Sequence, residues 1–255
     1  MMEKMEKPLK NYRMTIAYDG CKYSGWQVQH NAVSIQSVIQ DALKVILRND
    51  ISVIGSGRTD AGVHALGQVA HFKHNGDIDV FRCLGSLNGL LPRDIRILDL
   101  AEIPLNFHAQ HSAIGKTYYY HIESGPVQTP FRRMYRWHVR EKIDIQLLQE
   151  TAKLFIGTHD FTSFANEAHK GCAAQDAVRT IFRLDLVPEE GGFRLEFEGD
   201  GFLYKMVRNI VGTLMEVATG KRNILEISSI FAAKDRRLAG EAAPPHGLFL
   251  VSVKY

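Results

Sequence analysis

Hydrophobic and polar residues alternate along several short stretches of the chain. From Tyr12 to Tyr18, apolar residues at the even positions alternate with Arg13, Thr15 and Ala17. A period of two is typical of a β-strand with one buried face, because successive side chains of a strand point to opposite sides. Comparable stretches predict further strands at Ile51–Ser56, Gly67–Lys73, Ile95–Ile103, Lys116–Glu123, Val178–Val187, Phe193–Glu198 and Leu248–Lys254.

Other stretches repeat apolar residues every three or four positions, which is the spacing of one face of a helix. The first of these begins after Ser34, a residue type that caps helix N-termini, and extends to about Arg48. The same spacing predicts helices at Val80–Leu90, Asp144–Phe155, Phe202–Ala218 and Ile224–Ala233.

Strands and helices are mixed along the chain, and some neighbouring strands are close enough to form hairpins. The predicted fold class is therefore α+β. The stretch Gly125–Arg136 contains two prolines and several arginines and is predicted to be a loop or an insertion. We place a domain boundary there, which divides the chain into an N-terminal subdomain, residues 1–125, and a C-terminal subdomain, residues 126–255.

The composition is that of a globular protein. The 255 residues are 45% hydrophobic and 23% charged, which excludes general disorder. No run of about 18 apolar residues occurs, and the charged N-terminal segment lacks the apolar core of a secretory signal. We therefore expect a cytoplasmic protein with no membrane partner. The net charge is only +3, so charge alone does not identify the partner.

Several common chemical signatures are missing from the sequence. The three cysteines, Cys21, Cys83 and Cys172, are far apart and odd in number, which argues against a disulfide framework or a CxxC metal site. His71 and His74 are three residues apart, but isolated histidines are usually structural or solvated. The sequence has no P-loop, no GxGxxG motif after a strand, no HExxH and no GxSxG motif. We therefore expect no metal and no nucleotide or other cofactor.

The most informative segment runs from Gly55 to Phe72 and reads GSGRTDAGVHALGQVAHF. Its closely spaced glycines allow a tight turn and a close approach to a ligand. Arg58 can bind a phosphate or stack on a base, and Asp60 can act as a nucleophile or as a base. On spacing alone, a glycine-rich hairpin with a surface ion pair explains the segment equally well.

This segment resembles the catalytic motif of the tRNA pseudouridine synthases of the TruA family, which reads GRTDAGVHA followed by GQV. Blocks along nearly the whole chain are similar to the same family. These blocks are Asp19-Gly20, Gly25-Trp26-Gln27, Leu87-Asn88, Leu91-Pro92, Asp94-Ile95, Phe107–Ala109, Lys116–Tyr120, His159–Phe164, Gly201–Leu203, Met206–Gly212, Asp235-Arg236, Ala239-Gly240 and Gly247-Leu248.

The resemblance implies a pseudouridine synthase fold of two subdomains, with mixed or antiparallel sheets flanked by helices and an active-site cleft between them. It implies an isomerase that converts uridine to pseudouridine at positions 38, 39 and 40 in the anticodon stem and loop of tRNAs. The base is cleaved from C1′, rotated and rejoined through C5, so no atom is gained and no cofactor or metal is consumed. A homodimer, in which one tRNA touches both subunits, is also implied.

The resemblance also implies roles for four residues. Asp60 is the nucleophile, and Arg208 pairs with it. Tyr118 stacks on the target uracil, and Arg58 enters the RNA helix and helps to flip the base. An aromatic ring is a suitable platform for an extruded base, and a guanidinium keeps a carboxylate ionised. Plainer interpretations also fit, in which the neighbouring tyrosines pack a half-buried sheet and a lone Arg on a polar helix side is solvated. Three routes stay open for the carboxylate: attack on C1′, attack on C6, or action as a base in a glycal-type route.

A second set of residues is expected to contact the RNA. The segment Phe107–His111 resembles a tRNA-contacting segment, although Gln110 replaces its usual arginine. Between Asn166 and Asp176 the usual arginines are also missing, and the basic residues there are His169 and Lys170. Near the C-terminus, Glu241-Ala242 replaces the family's Pro-Thr pair. The expected contacts are Phe107, His108, Ala109, Gln110, His111, Lys116 and Lys170.

Two rival functions are compared with this one. A non-catalytic tRNA-binding protein would not need Asp60, Tyr118 and Arg208 together, and all three are present. An aspartate-dependent hydrolase would need a second carboxylate beside Asp60 and a site for water. The sequence shows no such pair of carboxylates, so the isomerase remains the preferred interpretation.

Overall fold

The computed structural model describes residues 8–166 and 176–255, so Lys170 and Cys172 lie outside the described residues. The described residues form the helices Ile35–Leu47 (α1), Val80–Leu90 (α2), Ile145–Lys153 (α3), Met206–Ala218 (α4) and Glu226–Ala233 (α5). They form the strands Leu9–Tyr18 (β1), Ile54–Gly55 (β2), His64–Asn75 (β3), Ile95–Ile103 (β4), Gly115–Ser124 (β5), Trp137–Val139 (β6), Gly157–Asp160 (β7), Val178–Glu189 (β8), Gly192–Gly199 (β9) and Leu248–Lys254 (β10). This mixture confirms the α+β class. Among these helices, none has the length and apolar character needed to cross a membrane.

The described residues divide into two compact units. The first extends to Ala113 and includes Leu250–Tyr255, and the second comprises Ile114–Phe249. The division falls before β5, whereas the expected boundary at residue 125 lies after it. The reason is that β5 pairs with β9 over most of its length, from Lys116 opposite Gly199 to Glu123 opposite Gly192.

In the first unit, antiparallel strands lie in the order β4-β1-β3, with β2 paired to β3 and β10 beside β3. Tyr12, Met14 and Ile16 of β1 are completely buried, as the period of two predicts. Helix α1 begins after Ser34, whose hydroxyl oxygen accepts a hydrogen bond from the Ser37 N–H at 3.1 Å. The predicted N-cap is therefore confirmed.

In the second unit, antiparallel strands lie in the order β5-β9-β8-β7, and β6 pairs with β5 in parallel. The apolar side of α4 is buried, as its spacing predicts. Fully buried side chains from the strands and helices form the core of this unit: Tyr120, Ile122, Leu148, Phe155, Phe161, Phe164, Leu195, Phe197, Ile210 and Leu214.

The predicted start of helix α4 at Phe202 was wrong. Lys205, which precedes the helix, has a φ of 59° and a ψ of 7°, a left-handed conformation that a right-handed helix does not include. Phe202 instead places its ring edge-on to Tyr118, with ring centroids 5.1 Å apart. The apolar residues before Met206 therefore lie in a turn, and their spacing reflects how this turn packs and not a helical repeat.

The strand predicted at Ile51–Ser56 is reduced to the two residues of β2. The backbone of Val53 is occupied by side chains of α1, because its carbonyl accepts Gln36 Nε2 at 2.7 Å and its N–H donates to Gln40 Oε1 at 3.0 Å. At Val53 these side-chain hydrogen bonds take the place of pairing with a neighbouring strand. The short strands β6 and β7 were not predicted.

Candidate active site

The segment with Arg58 and Asp60 is a loop between β2 and β3 whose start is fixed by buried polar side chains. The Ser56 hydroxyl donates to Gln68 Oε1 at 2.7 Å, and Gln68 Nε2 donates to the Gly57 carbonyl at 3.0 Å. Ser56 and Gln68 are both completely buried. These hydrogen bonds hold the first residues of the loop in place.

Thr59, which separates the two candidate residues, anchors the loop to the core. Its side chain is buried, and its Oγ1 lies 2.8 Å from the Tyr18 hydroxyl. Its carbonyl accepts the Trp26 N–H at 3.0 Å. Burial raises the pKa of the Tyr18 hydroxyl, which therefore stays neutral. With Thr59 held in this way, Arg58 is exposed and Asp60 is half-buried.

Gly25 allows the segment after β1 to pass directly against this loop. Its φ is +87°, and a Cβ placed on it would lie 2.5 Å from the Thr59 carbonyl oxygen and 3.0 Å from the Asp60 carbonyl carbon. The Val63 N–H donates to the Asp60 carbonyl at 3.1 Å and closes the turn. Two blocks that are distant in sequence therefore form one local structure around Asp60.

The segment Phe107–His111, also in the first unit, is a tight turn organised by a histidine. His108 Nδ1 accepts the N–H groups of Gln110 and His111, both at 3.2 Å, and the rings of His108 and His111 are 4.3 Å apart. Gln110 and His111 are exposed. Ala109 is completely buried, so it anchors the turn and offers no surface to RNA, contrary to its assignment as an RNA contact.

His71 of β3 is hydrogen-bonded to the backbone of this turn. The Ala109 N–H donates to His71 Nδ1 at 3.1 Å, and the Tyr255 hydroxyl donates to the Ala109 carbonyl at 2.8 Å. Burial lowers the pKa of His71 to about 4, and the charges of His108 and Lys73 act in the same direction. His71 is therefore neutral at neutral pH, and its Nδ1 is occupied by the turn.

In the second unit, Tyr118 and Lys116 lie two positions apart on β5. Tyr118 is 8% exposed and packs against Phe202 as described. Burial lowers the pKa of Lys116 to about 8, and the positive charge of Arg179 adds to this. Lys116 therefore loses its charge in the mildly alkaline range, unlike a surface lysine.

The tyrosines that follow Tyr118 pack the sheet, which is the plainer of the two interpretations of the sequence. Tyr120 is completely buried, and its hydroxyl donates to the Pro244 carbonyl at 2.8 Å. Tyr119 is half-buried, with the Arg194 guanidinium 4.9 Å from its ring centroid.

Arg208 lies in the first turn of α4 and is held by the backbone of Ala243. Its Nε donates to the Ala243 carbonyl at 2.7 Å, and the Ala243 N–H donates to the Arg208 carbonyl at 3.0 Å. Burial raises the pKa of the Tyr120 hydroxyl well above its usual range, and the charge of Arg208 opposes this rise. The hydrogen bond from its Nε to the Ala243 carbonyl therefore orients the Arg208 side chain. Sequence reasoning missed Ala243 because a backbone acceptor leaves no side-chain signal.

Asp19, Cys21 and His64 bring one ligand atom each to within 4.8 Å of one another, an arrangement that could hold a metal ion. Asp19 Oδ1, however, accepts the Cys21 N–H at 3.0 Å, and His64 Nδ1 accepts the Gly20 N–H at 3.1 Å. Burial raises the pKa of the Cys21 thiol to about 12, with a further contribution from its hydrogen bond to Asp19. Since a metal binds the thiolate, the cluster is better suited to capping the turn after β1.

Comparison with known proteins gives matches over nearly the whole chain. A family model described as tRNA pseudouridine synthase matches residues 14–112 and 151–255. The tRNA pseudouridine synthase A 1 of Protochlamydia amoebophila is 62% identical over 245 residues, which are 96% of this chain and 96% of the relative. The tRNA pseudouridine synthase A of Acetivibrio thermocellus is 43% identical, over 97% of this chain and 100% of the relative. That of Syntrophotalea carbinolica is 42% identical, over 95% of each.

The chain has an α+β fold and an Arg-Thr-Asp loop that buried polar groups hold in place. Its relatives are similar to it over nearly their full lengths. The chain belongs to the tRNA pseudouridine synthase family. The resemblance inferred from the motifs is thereby confirmed.

Proposed function

We propose that this protein is an isomerase that converts uridine to pseudouridine in tRNA, at positions 38, 39 and 40 of the anticodon stem and loop. The observation that carries the proposal is the loop in which buried Thr59 separates an exposed Arg58 from a half-buried Asp60. The names of the relatives, tRNA pseudouridine synthase A, support both the reaction and the substrate.

The proposed reaction replaces one bond between the base and the ribose by another. The N1–C1′ bond breaks, the C5–C1′ bond forms, the hydrogen of C5 leaves as a proton, and N1 gains a proton. Asp60 starts the reaction by attacking C1′ or C6, or by acting as a base in the glycal route. Because substrate and product contain the same atoms and electrons, the side chains of this chain can carry the reaction without a cofactor.

Tyr118 and Arg208 are proposed to complete the catalytic set. The ring of Tyr118 would stack on the target uracil once the base is extruded. Arg208 would pair with the Asp60 carboxylate and favour its charged form. The hydrogen bond from Arg208 Nε to the Ala243 carbonyl supports this role, because it restricts the rotation of the guanidinium.

The remaining residues are proposed to hold the RNA. Arg58, which is exposed, would occupy the space left by the flipped uridine. The exposed Gln110 and His111 would touch the backbone, together with Lys116 and Lys170. We further propose that the protein acts on the anticodon arm as a homodimer in the cytoplasm.

A nucleoside analysis tests the proposed reaction. Purified protein would be incubated with an unmodified tRNA transcript, and the RNA would be digested and separated by chromatography. We expect uridine to decrease by the amount of pseudouridine that appears. Binding of the transcript with no conversion would favour the non-catalytic tRNA-binding protein instead.

Binding of tRNA should weaken steeply with salt, because phosphate contacts supply most of the affinity for a structured RNA. Between about 50 and 200 mM NaCl, the logarithm of Kd should rise linearly with that of salt, by roughly 0.7–0.9 per phosphate contact. Lys116→Met, which removes one of the proposed phosphate contacts, should reduce this slope by about one contact. The control is Lys44→Met, since Lys44 pairs with Asp50 at 2.7 Å. A Kd that does not change with salt, measured by filter binding, would contradict the prediction.

Replacement of Cys21, Cys83 and Cys172 by serine in one variant should leave turnover unchanged. Burial raises the pKa values of the Cys21 and Cys83 thiols, which disfavours the nucleophilic thiolate. Circular dichroism would establish that the variant is folded, and nucleoside analysis would give its rate. Loss of turnover in the folded variant would reveal a thiol that takes part in the reaction.

A further inference from the structure

One side of α4 holds the segment Gly240–Ala243 by contacts that are spaced one helical turn apart. Arg208, Gly212 and Glu216 follow each other at intervals of four residues and therefore lie on the same side of the helix. Arg208 contacts the end of the segment at Ala243 through the two hydrogen bonds described above.

The middle of the segment lies directly on the helix backbone. A Cβ on Gly212 would overlap the Glu241 carbonyl oxygen, so a side chain there would push the segment away. The Gly240 N–H donates to Thr213 Oγ1 at 2.9 Å, and the same hydroxyl donates to the Asn209 carbonyl at 2.8 Å. The Thr213 hydroxyl thus accepts a hydrogen bond from the segment while its own hydrogen is bonded to the backbone of α4.

Glu216 holds the other end of the segment with one carboxylate oxygen. Its Oε1 accepts the Glu241 N–H at 3.1 Å, and its Oε2 lies 2.9 Å from Arg222 Nε. The side chains of Glu216 and Arg222 are only 26% and 18% exposed. The ion pair with Arg222 therefore orients the carboxylate, so that its second oxygen points at the segment.

We propose that Glu216 is a positioning residue for Arg208. Glu216 and Arg208 lie at opposite ends of the docked segment, and the acceptor for the Arg208 guanidinium is a carbonyl of that segment. Loss of the Glu216 contact loosens the segment, moves the Ala243 carbonyl and releases the guanidinium from its orientation. The inference rests on the proposed role of Arg208 in the reaction.

A purely stabilising role of Glu216 can be separated from positioning by a matched control. Glu226 also pairs with Arg222, with Oε2 3.1 Å from Arg222 Nη1, but it has no hydrogen bond to Gly240–Ala243 among those of the described residues. Glu226→Ala therefore removes an ion pair of Arg222 and leaves the segment docked.

Two measurements test the inference. In protein labelled with 15N-arginine, the Nε–H signal of Arg208 is assigned by its disappearance in Arg208→Met. We expect this signal to shift and to exchange faster with water in Glu216→Ala, and to be retained in Glu226→Ala. In single-turnover kinetics, Glu216→Ala should be slower by roughly tenfold, and the acidic limb of its pH–rate profile should move to higher pH, as in Arg208→Met.

The outcomes separate the inference from the proposed function. An Arg208 signal that is the same in Glu216→Ala as in wild type overturns the positioning role. A changed signal, with an acidic limb that does not move even in Arg208→Met, supports the orientation of Arg208 by Glu216 and overturns the proposed catalytic role of Arg208. If Glu216→Ala does not fold, Glu216→Asp replaces it with the same expectations, because its carboxylate ends one methylene short of the Glu241 N–H.

Discussion

Asp60→Asn should abolish turnover and leave tRNA binding nearly unchanged. Asparagine keeps the size and the hydrogen-bonding capacity of the side chain, but it is neither a nucleophile nor a base. We expect the single-turnover rate to fall by at least about 10³-fold, the range typical for loss of a group that acts directly in the reaction. The loop should remain intact, because its anchors are Ser56, Thr59 and Gln68.

The control for this variant is Asp50→Asn. The Asp50 carboxylate is exposed and pairs with Lys44 at 2.7 Å, so its neutralisation changes the total charge equally without touching the loop. Rates from nucleoside analysis and Kd values from filter binding would be compared for both variants. A rate for Asp60→Asn within about tenfold of wild type would remove Asp60 from the mechanism.

Arg208→Met and Arg58→Met should both reduce turnover strongly, but for different reasons. In the proposed pairing, Arg208 favours the ionised form of the Asp60 carboxylate, so its loss should move the acidic limb of the pH–rate profile to higher pH. We expect a loss of roughly 10²-fold at neutral pH, the size typical of one electrostatic partner. Arg58→Met should leave the acidic limb in place, because the proposed partner of Arg58 is the RNA and not the carboxylate.

The roles of the two arginines can be distinguished by comparing how each variant acts on a paired and on an unpaired target uridine. A uridine that is already unpaired costs less to unstack, so a loop target should partly restore the rate of Arg58→Met. It should not restore Arg208→Met, because flipping is not the step that this variant slows. Single-turnover kinetics on a stem target and a loop target across pH would measure both effects. Equal responses of the two variants would show that the division of roles is wrong.

Local sequence signals predicted the elements best where a cap or a proline marks their ends. Helix α2 has the predicted bounds, with the Asp79 carboxylate accepting the Arg82 N–H at 3.0 Å and Pro92 just beyond its end. Strands β4 and β10 also have the predicted bounds. Helix α4 began later than predicted because the conformation of Lys205 has no signature in the spacing of apolar residues.

The polar side of α4 shows why the candidate site could be predicted only in part. Asn209 and Thr213 are polar residues of this amphipathic helix, yet both are completely buried. Asn209 Nδ2 donates to the Phe164 carbonyl at 2.8 Å, and Arg236 Nη2 donates to Asn209 Oδ1 at 2.8 Å. These partners are distant in sequence, and one of them is a backbone atom, so no local pattern reveals them. Asp60, in contrast, could be proposed from the sequence because its motif is contiguous.

The central claim is isomerisation at three positions of the anticodon arm, and tritium release measures it most directly. A tRNA transcript with tritium at C5 of its uridines would be compared with the same transcript carrying cytidine at positions 38, 39 and 40. The account predicts that wild-type protein releases tritium into water from the first transcript and none from the second. Release that is undiminished from the second transcript, or no release from the first, would contradict it.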